Sequence, residues 1–196
     1  MSKLMISLMA AAGLAFAGAA GAADRTDHNG MSRDQYKAEK DKIETQYKSE
    51  KDACKGQSGN AKDVCEAEAK GKEKVAKAEL EANYKNTDKA RYDAKVAQAD
   101  ADYDVAKEKC DDLKGNDKDV CVKQAKASHT KAKADAKVAR VEHQQNGATA
   151  KVADAKRDAR EDTRDAQYKV AKEKCDAMSG NAKDKCVADA KLRYAQ

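Results

Sequence analysis

Proline and tryptophan are absent from this 196-residue chain, and its one phenylalanine, Phe16, lies near the N-terminus. Large aliphatic residues are also sparse beyond residue 23, where most apolar positions are alanine. Burying apolar surface stabilises a fold by about 25 cal/mol per Å², and an alanine has little surface to bury. The composition therefore excludes an ordinary large-residue core, because such burial would leave the loss of chain entropy poorly offset.

The residues that are abundant favour helix. Alanine, lysine, glutamate, glutamine and arginine are strong helix formers, and no proline interrupts them. Charged residues make up 38% of the chain, with the two signs interleaved. This composition is typical of long helices or coiled coils. Disorder is the alternative for so polar a chain, but regularly spaced turn signals favour helix.

The N-terminal 23 residues predict a secretory signal peptide. Lys3 precedes an apolar run rich in Ala and Gly, and small residues up to Ala23 precede the first acidic residue, Asp24. This pattern indicates cleavage at about Ala22 or Ala23. A retained membrane anchor is the alternative, but the run is short and weakly hydrophobic for a span. We expect an exported, soluble, periplasmic protein with a signal peptide at 1–23, a disordered tail at 24–31 and a helical hairpin region at 32–196.

All six cysteines occur in three blocks of twelve residues, each with a cysteine at both ends. In an oxidising compartment, three local disulfides are the simplest pairing. Zinc is the alternative, but it needs four converging ligands, and each block supplies two cysteines and no histidine. The predicted disulfides are Cys54–Cys65, Cys110–Cys121 and Cys175–Cys186.

A Gly-Asn pair stands at the centre of every block, and it predicts a two-residue turn between two helices. Glycine ends a helix in left-handed geometry at the C′ position, and asparagine is a good N-cap for the next helix. The two cysteines then lie at the same height on antiparallel helices, within reach of a disulfide. The predicted turn residues are Gly59 and Asn60, Gly115 and Asn116, and Gly180 and Asn181.

Three further signals mark helix boundaries. Ser32 and Gln35 have the spacing of a capping box at a helix start. Residues 144–147, with Asn-Gly at their end, indicate a turn. Asn86-Thr87 leaves two alternatives open: the chain turns there, or one helix continues to about Leu113. Either way we predict an all-α protein of antiparallel helical hairpins, forming an elongated or coiled-coil-like bundle.

No catalytic pattern is present. The chain has no phosphate-binding loop, no dinucleotide-binding glycine pattern and no His-Glu-x-x-His sequence. Its carboxylates have lysine or arginine nearby and no large core to desolvate them, so we expect no shifted carboxyl pKa values. We therefore predict that the protein is not an enzyme and has no cofactor. The interleaved basic residues argue against nucleic acid as a partner.

The histidines support one alternative function. His28 lies in the predicted tail, and His129 and His143 are fourteen residues apart. Three scattered histidines favour ordinary surface positions, and a metal- or anion-binding protein is the alternative.

Passages such as AKGKEKVAKAELEA at 69–82 resemble small exported, Ala/Lys/Asp/Glu-rich helical proteins of Gram-negative bacteria, which are described as TolA-like. The resemblance covers most of the chain beyond residue 23 and implies a helical protein of the periplasm. We accordingly predict a non-enzymatic envelope or stress-related protein that acts through contacts with a protein partner or through self-association. A holdase-type chaperone is a second possibility.

Overall fold

A computed structural model describes residues 30–146 and 150–195 of the chain. These residues form an all-α structure without strands, as predicted. The six helices are α1 (Arg33–Ala53), α2 (Gly59–Lys85), α3 (Asp88–Cys110), α4 (Gly115–Gln144), α5 (Ala150–Cys175) and α6 (Gly180–Tyr194), with a 3₁₀ turn at Cys54–Gly56. The predicted signal peptide, and residues 24–29 of the predicted tail, lie outside the described residues.

The start of α1 confirms the predicted capping box. The Ser32 hydroxyl accepts the Gln35 backbone N–H at 3.1 Å, and the Gln35 side-chain oxygen accepts the Ser32 N–H at 2.8 Å. Two amide groups that a helix start would otherwise leave unpaired are thus satisfied reciprocally.

All three predicted disulfides are present. Their Cα–Cα distances are 5.6, 5.6 and 5.7 Å, in the normal range for this bond. The first cysteine of each pair is 0% exposed, and these three are the largest fully buried side chains in the described chain. Each disulfide therefore forms the small core of its hairpin tip.

The prediction for the turn residues is wrong in detail. Instead of a two-residue turn at Gly-Asn, the first helix of each hairpin ends at its first cysteine or one residue before it, and four or five residues connect it to the next. The N–H three residues past that cysteine bonds back to the cysteine carbonyl at 3.0 Å in every tip. The chain reversal therefore includes these connecting residues as well as the left-handed glycine that follows them.

The three glycines do adopt the predicted left-handed conformation, with φ of +54° to +56°. They begin the second helix instead of ending the first, so the C′ assignment of Gly59, Gly115 and Gly180 is wrong. Asn60, Asn116 and Asn181 are not N-caps either, because the cap positions are Ser58, Lys114 and Ser179. The Asn60 amide instead donates to the Glu108 carbonyl at 2.9 Å, which joins the first tip to the second.

The chain turns at Asn86-Thr87, which excludes the single long helix. Asn86 is left-handed, with φ of 48°, and its N–H bonds to the Ala82 carbonyl. Thr87 then caps α3 by accepting the Ala90 N–H at 3.1 Å. The predicted turn at 144–147 also falls at a helix end, since α4 stops at Gln144.

Each described helix packs only against its neighbours in sequence, so the elongated bundle is an open array of antiparallel helices. The three stapled tips lie at one end of the array and the polar turns at the other. Its core is thin and made mostly of alanine, with Leu80 and Val152 as its larger aliphatic members, and no polar or charged residue of the described chain is buried. Stability therefore depends on close helix contact and on the disulfides rather than on a central core.

Candidate functional site

A close contact between two hairpins lies at the junction of α2 and α3. Gly71 and Ala101 are both buried there, and a Cβ placed on Gly71 would lie 3.1 Å from the Ala101 Cβ. The absence of a side chain on Gly71 therefore lets the two helices approach closely.

Beside this contact runs a groove of about 520 Å³, which we call the first groove. Its floor is small and apolar, and its rim carries charges of both signs. The floor consists of Gly71, Val75, Ala76, Ala101, Val105 and Ala106, and the rim of Glu68, Lys72, Glu79, Gln98, Asp102 and Lys109. Such a surface can receive apolar side chains at its centre and pair with charges at its edges.

A second groove, of about 560 Å³, lies between α4 and α5 at the same positions of the repeat. Val105 in the first groove and Val170 in the second both stand five residues before the first cysteine of their block. The second groove is more polar, because Gln124, Ser128, Thr163 and Gln167 line it. Arg193 and Tyr194 of α6 also contribute to its wall. The repeat thus presents one site twice, with different chemistry.

Ion pairs between neighbouring hairpins flank the grooves. Lys109 pairs with Glu68 at 3.0 Å, and Lys74 with Asp104 at 3.3 Å, both between α2 and α3. All four side chains are well exposed, so each pair adds little to stability. Charge pairs at fixed positions favour one register of the two helices over others.

Away from the grooves, Tyr36 and Glu81 form a hydrogen bond between a tyrosine and a carboxylate. The Tyr36 hydroxyl donates to Glu81 Oε2 at 2.7 Å, and the Tyr84 ring lies 4.5 Å from the Tyr36 ring. The hydrogen bond to Glu81, followed by burial, raises the pKa of Tyr36 to about 12. A phenol that holds its proton so firmly is not a base or nucleophile at neutral pH.

The expectation of unshifted carboxyl pKa values is wrong for several carboxylates that are not deeply buried. Hydrogen bonds from Lys85 and Tyr36 lower the pKa of Glu81. The Lys183 ammonium lowers the pKa of Asp176 at the third tip, and a hydrogen bond from Gln46 lowers that of Glu50. Local hydrogen bonds cause these shifts without deep burial. They favour the charged carboxylate, which is the direction opposite to a general acid at neutral pH.

Each described histidine pairs with a different aspartate of α3. His129 Nε2 lies 2.5 Å from Asp100 Oδ1 and its ring stacks on Tyr103, while His143 Nδ1 lies 2.7 Å from Asp88 Oδ1. Fourteen residues of helix separate the two histidines by about 21 Å, too far to share one ion. In the part of the chain that the structure describes, no three metal-binding side chains come together. His28 lies outside that part.

The first groove, with its apolar floor between two hairpins, is the candidate site. Comparisons with protein-family models, curated proteins and solved structures found no match. None of the helices within 30–146 and 150–195 has both the length and the apolar character of a membrane span. The chemistry of the site must therefore be read from the grooves themselves.

Neither groove was predicted from the sequence, although the sequence contains a signal for the first. Aligning the blocks places Gly71 six residues after Cys65, where α4 has Ala127. Glycine inside a helix costs about 1 kcal/mol relative to alanine, so its presence signals a close packing contact.

Proposed function

We propose that the protein is a non-enzymatic envelope or stress-related protein of the periplasm that binds a partner protein in its first groove. The observation that carries this proposal is the apolar floor of that groove, formed by Val75, Val105 and small residues between two exposed helices. In a chain this polar, that floor is the described surface best suited to burial by another molecule.

The occupant that fits best is an amphipathic helix. A groove between two antiparallel helices receives a third helix as ridges pack into grooves. Small floor residues such as Ala76 and Ala106 permit close approach, and the rim offers Lys72 and Lys109 beside Glu68 and Asp102 for charged flanks. We expect the partner helix to carry apolar side chains three and four residues apart, with charges of both signs beside them.

The periplasmic location rests on the cysteines and on composition. Three disulfides and no free cysteine in the described chain are typical of an oxidising compartment. The TolA-like composition supports placement in the envelope.

A holdase-type chaperone is less well supported. Such a protein needs a broad apolar surface for unfolded clients. The large exposed hydrophobic residues of the described chain are Leu113 and Met178 at two tips and Leu192 on α6. They are three single residues on different elements, which favours specific contact over client holding.

Site-specific photo-crosslinking in cells tests the proposal. A photoreactive amino acid at Gln98 would line the first groove, and one at Thr163 would line the second. Both positions stand twelve residues before the first cysteine of their block, so they form a matched pair. We expect irradiation to give a discrete protein adduct from position 98 and none from position 163.

A second matched pair tests whether the floor carries the contact. Val105→Asp places a charge in the first groove, and Val170→Asp places one at the same repeat position in the second. The first change should abolish the adduct from position 98, and the second should leave it. Equal adducts from both grooves, or an adduct that survives Val105→Asp, would contradict the proposal.

A further inference from the structure

One side of α6 has no helical neighbour. Among the described helices, α6 contacts α5 alone. Leu192 on its other side is 82% exposed, the highest value among the large exposed hydrophobic residues. An exposed leucine is ordinary by itself, so its meaning depends on what this position does elsewhere in the molecule.

The repeat shows what the position does. Leu192 lies six residues after Cys186, as Gly71 lies six after Cys65 and Ala127 six after Cys121. Gly71 packs against Ala101 of α3, in the next hairpin. Ala127 lines the groove between α4 and α5, which is again the junction with the next hairpin. The side of α6 that holds Leu192 thus corresponds to the side on which α2 and α4 each bind a following helix.

Neighbouring positions agree with this correspondence. Asp189 matches Glu68, which pairs with Lys109 of α3. Ala188 matches Lys123, whose ammonium lies 3.9 Å from Glu173 of α5. In α6 both positions are exposed. The outer side of α6 therefore corresponds in the repeat to the surfaces by which α2 and α4 contact the next hairpin, and no described helix is bound to it.

The opposite end of the array is different. The α1 positions that match Ala101 and Val105 of α3 are Thr45 and Ser49, and both are exposed. Terminal units of repeat arrays need a polar outer face to stay soluble. Helix α1 has hydroxyl groups at these positions, whereas the exposed side of α6 carries Leu192 among its charged residues. Stacking α6 on the α1 of another copy would set Leu192 against hydroxyl groups.

We propose that the outer side of α6 binds the same side of α6 in a second copy of the chain, with the two helices antiparallel about a two-fold axis. This arrangement covers Leu192 and Ala188 of both copies with apolar surface. Asp189 and Arg193 border Leu192 on one flank of the helix. Reversal of the second helix brings each Asp189 toward the partner's Arg193. An interface of this kind is self-complementary and closes at two copies.

The helix pair is short, since α6 has 15 residues. Interfaces below about 1,200 Å² are typical of weak or transient association. We therefore expect a dimer that dissociates on dilution. This proposal goes beyond the first groove and does not depend on a partner occupying it.

Sedimentation equilibrium of the oxidised full chain over a range of concentrations tests the dimer. We expect the measured mass to rise with concentration to that of two copies of the chain and no further. Leu192→Asp should raise the dissociation constant at least about tenfold, a loss typical of a central interface contact. The matched control is Leu113→Asp, which changes a leucine that is 42% exposed at the second tip and should leave the constant unchanged.

Engineered cysteines distinguish contact between two α6 helices from contact between the α6 of one copy and the α1 of another. Leu192→Cys should form an intermolecular disulfide with the same position of a second copy, and Thr45→Cys should not. Mass mapping of a mixture of the two variants should find no disulfide that joins position 45 of one copy to position 192 of another.

Four results would each overturn the proposal. They are a single-copy mass at every concentration, growth beyond two copies, a disulfide between positions 45 and 192, and insensitivity of the dissociation constant to Leu192→Asp. Photo-crosslinking at Gln98 does not enter this test, so the two proposals can fail separately.

Discussion

Among single residues, Tyr36 shows how a nearly coreless protein uses polar groups. The hydroxyl donates to a charged carboxylate, and its ring packs on Tyr84, so one side chain makes both a polar and an apolar contact between α1 and α2. The hydrogen bond keeps Tyr36 protonated and Glu81 ionised, because each form favours the other. The helices are thus joined across the open end of the first hairpin, far from its disulfide.

Tyr36→Phe should lower the free energy of unfolding by about 1 kcal/mol at neutral pH, the usual net value of one hydrogen bond. Because the folded-state pKa of Tyr36 is raised to about 12, this contribution is fully present below the ordinary tyrosine pKa of about 10. It is lost as pH rises toward 12. The difference in stability between the two proteins should therefore shrink above about pH 10.

Ultraviolet titration of tyrosinate measures the same effect directly. A tyrosinate transition near pH 12 should be present in the unchanged protein and should disappear in Tyr36→Phe. The pKa of the Glu81 carboxyl, followed by NMR, should rise in the variant. A late transition that persists without Tyr36 would contradict the assignment.

Among elements, the stapled hairpin is the unit that was predicted best. Cysteine spacing and the central Gly-Asn were sufficient to place three disulfides, because a tip of this length has few ways to close. The position of the turn within the tip was wrong, since left-handed glycine geometry occurs both where helices end and where these helices begin. The bond from Asn60 to Glu108 could not be predicted, because it depends on how two hairpins pack.

Removing a staple should have an effect that depends on where it lies. The double change Cys175→Ala with Cys186→Ala should remove about 3 kcal/mol of stabilisation from loop closure. The loss should affect α6 alone, so only this helix should unfold early. Cys110→Ala with Cys121→Ala removes the middle staple and should destabilise the helices on both sides. Urea titration followed by circular dichroism should show a small early loss of helix in the first variant and a lower main midpoint in the second. Identical unfolding curves for the two variants would contradict an array in which each helix contacts only its neighbours in sequence.

For the whole molecule, the open array means that stability is a sum over neighbours. Helices α2 to α5 are packed on two sides, whereas α1 and α6 are each packed on one. Arrays of this kind lose structure from their ends, because an end helix gives up a single interface. The two grooves were not predicted because they depend on how the hairpins stack, and composition does not encode stacking.

Hydrogen exchange should therefore vary along the chain. We expect the fastest exchange in α6, slower exchange in α1, which has 21 residues, and the slowest exchange in α2 to α4. Mass spectrometry of peptides from the oxidised protein measures this order. Exchange in α6 alone should slow as the protein concentration rises if two copies meet there. Uniform protection from α1 to α6 would show a cooperative bundle instead.

The disulfides also set how far the protein can be stretched. Each joins cysteines eleven positions apart in sequence, so the segment between them never bears tension while the bond is intact. An extended chain spans about 3.5 Å per residue, and each staple therefore withholds about 33 Å of contour length, or about 100 Å for the three. A protein pulled between its ends in an oxidising compartment would reach its maximum length at a shorter extension. The three disulfides would then carry the force past the segments that they enclose. After reduction of the disulfides, the same chain would extend further, and its hairpins would unfold at lower force.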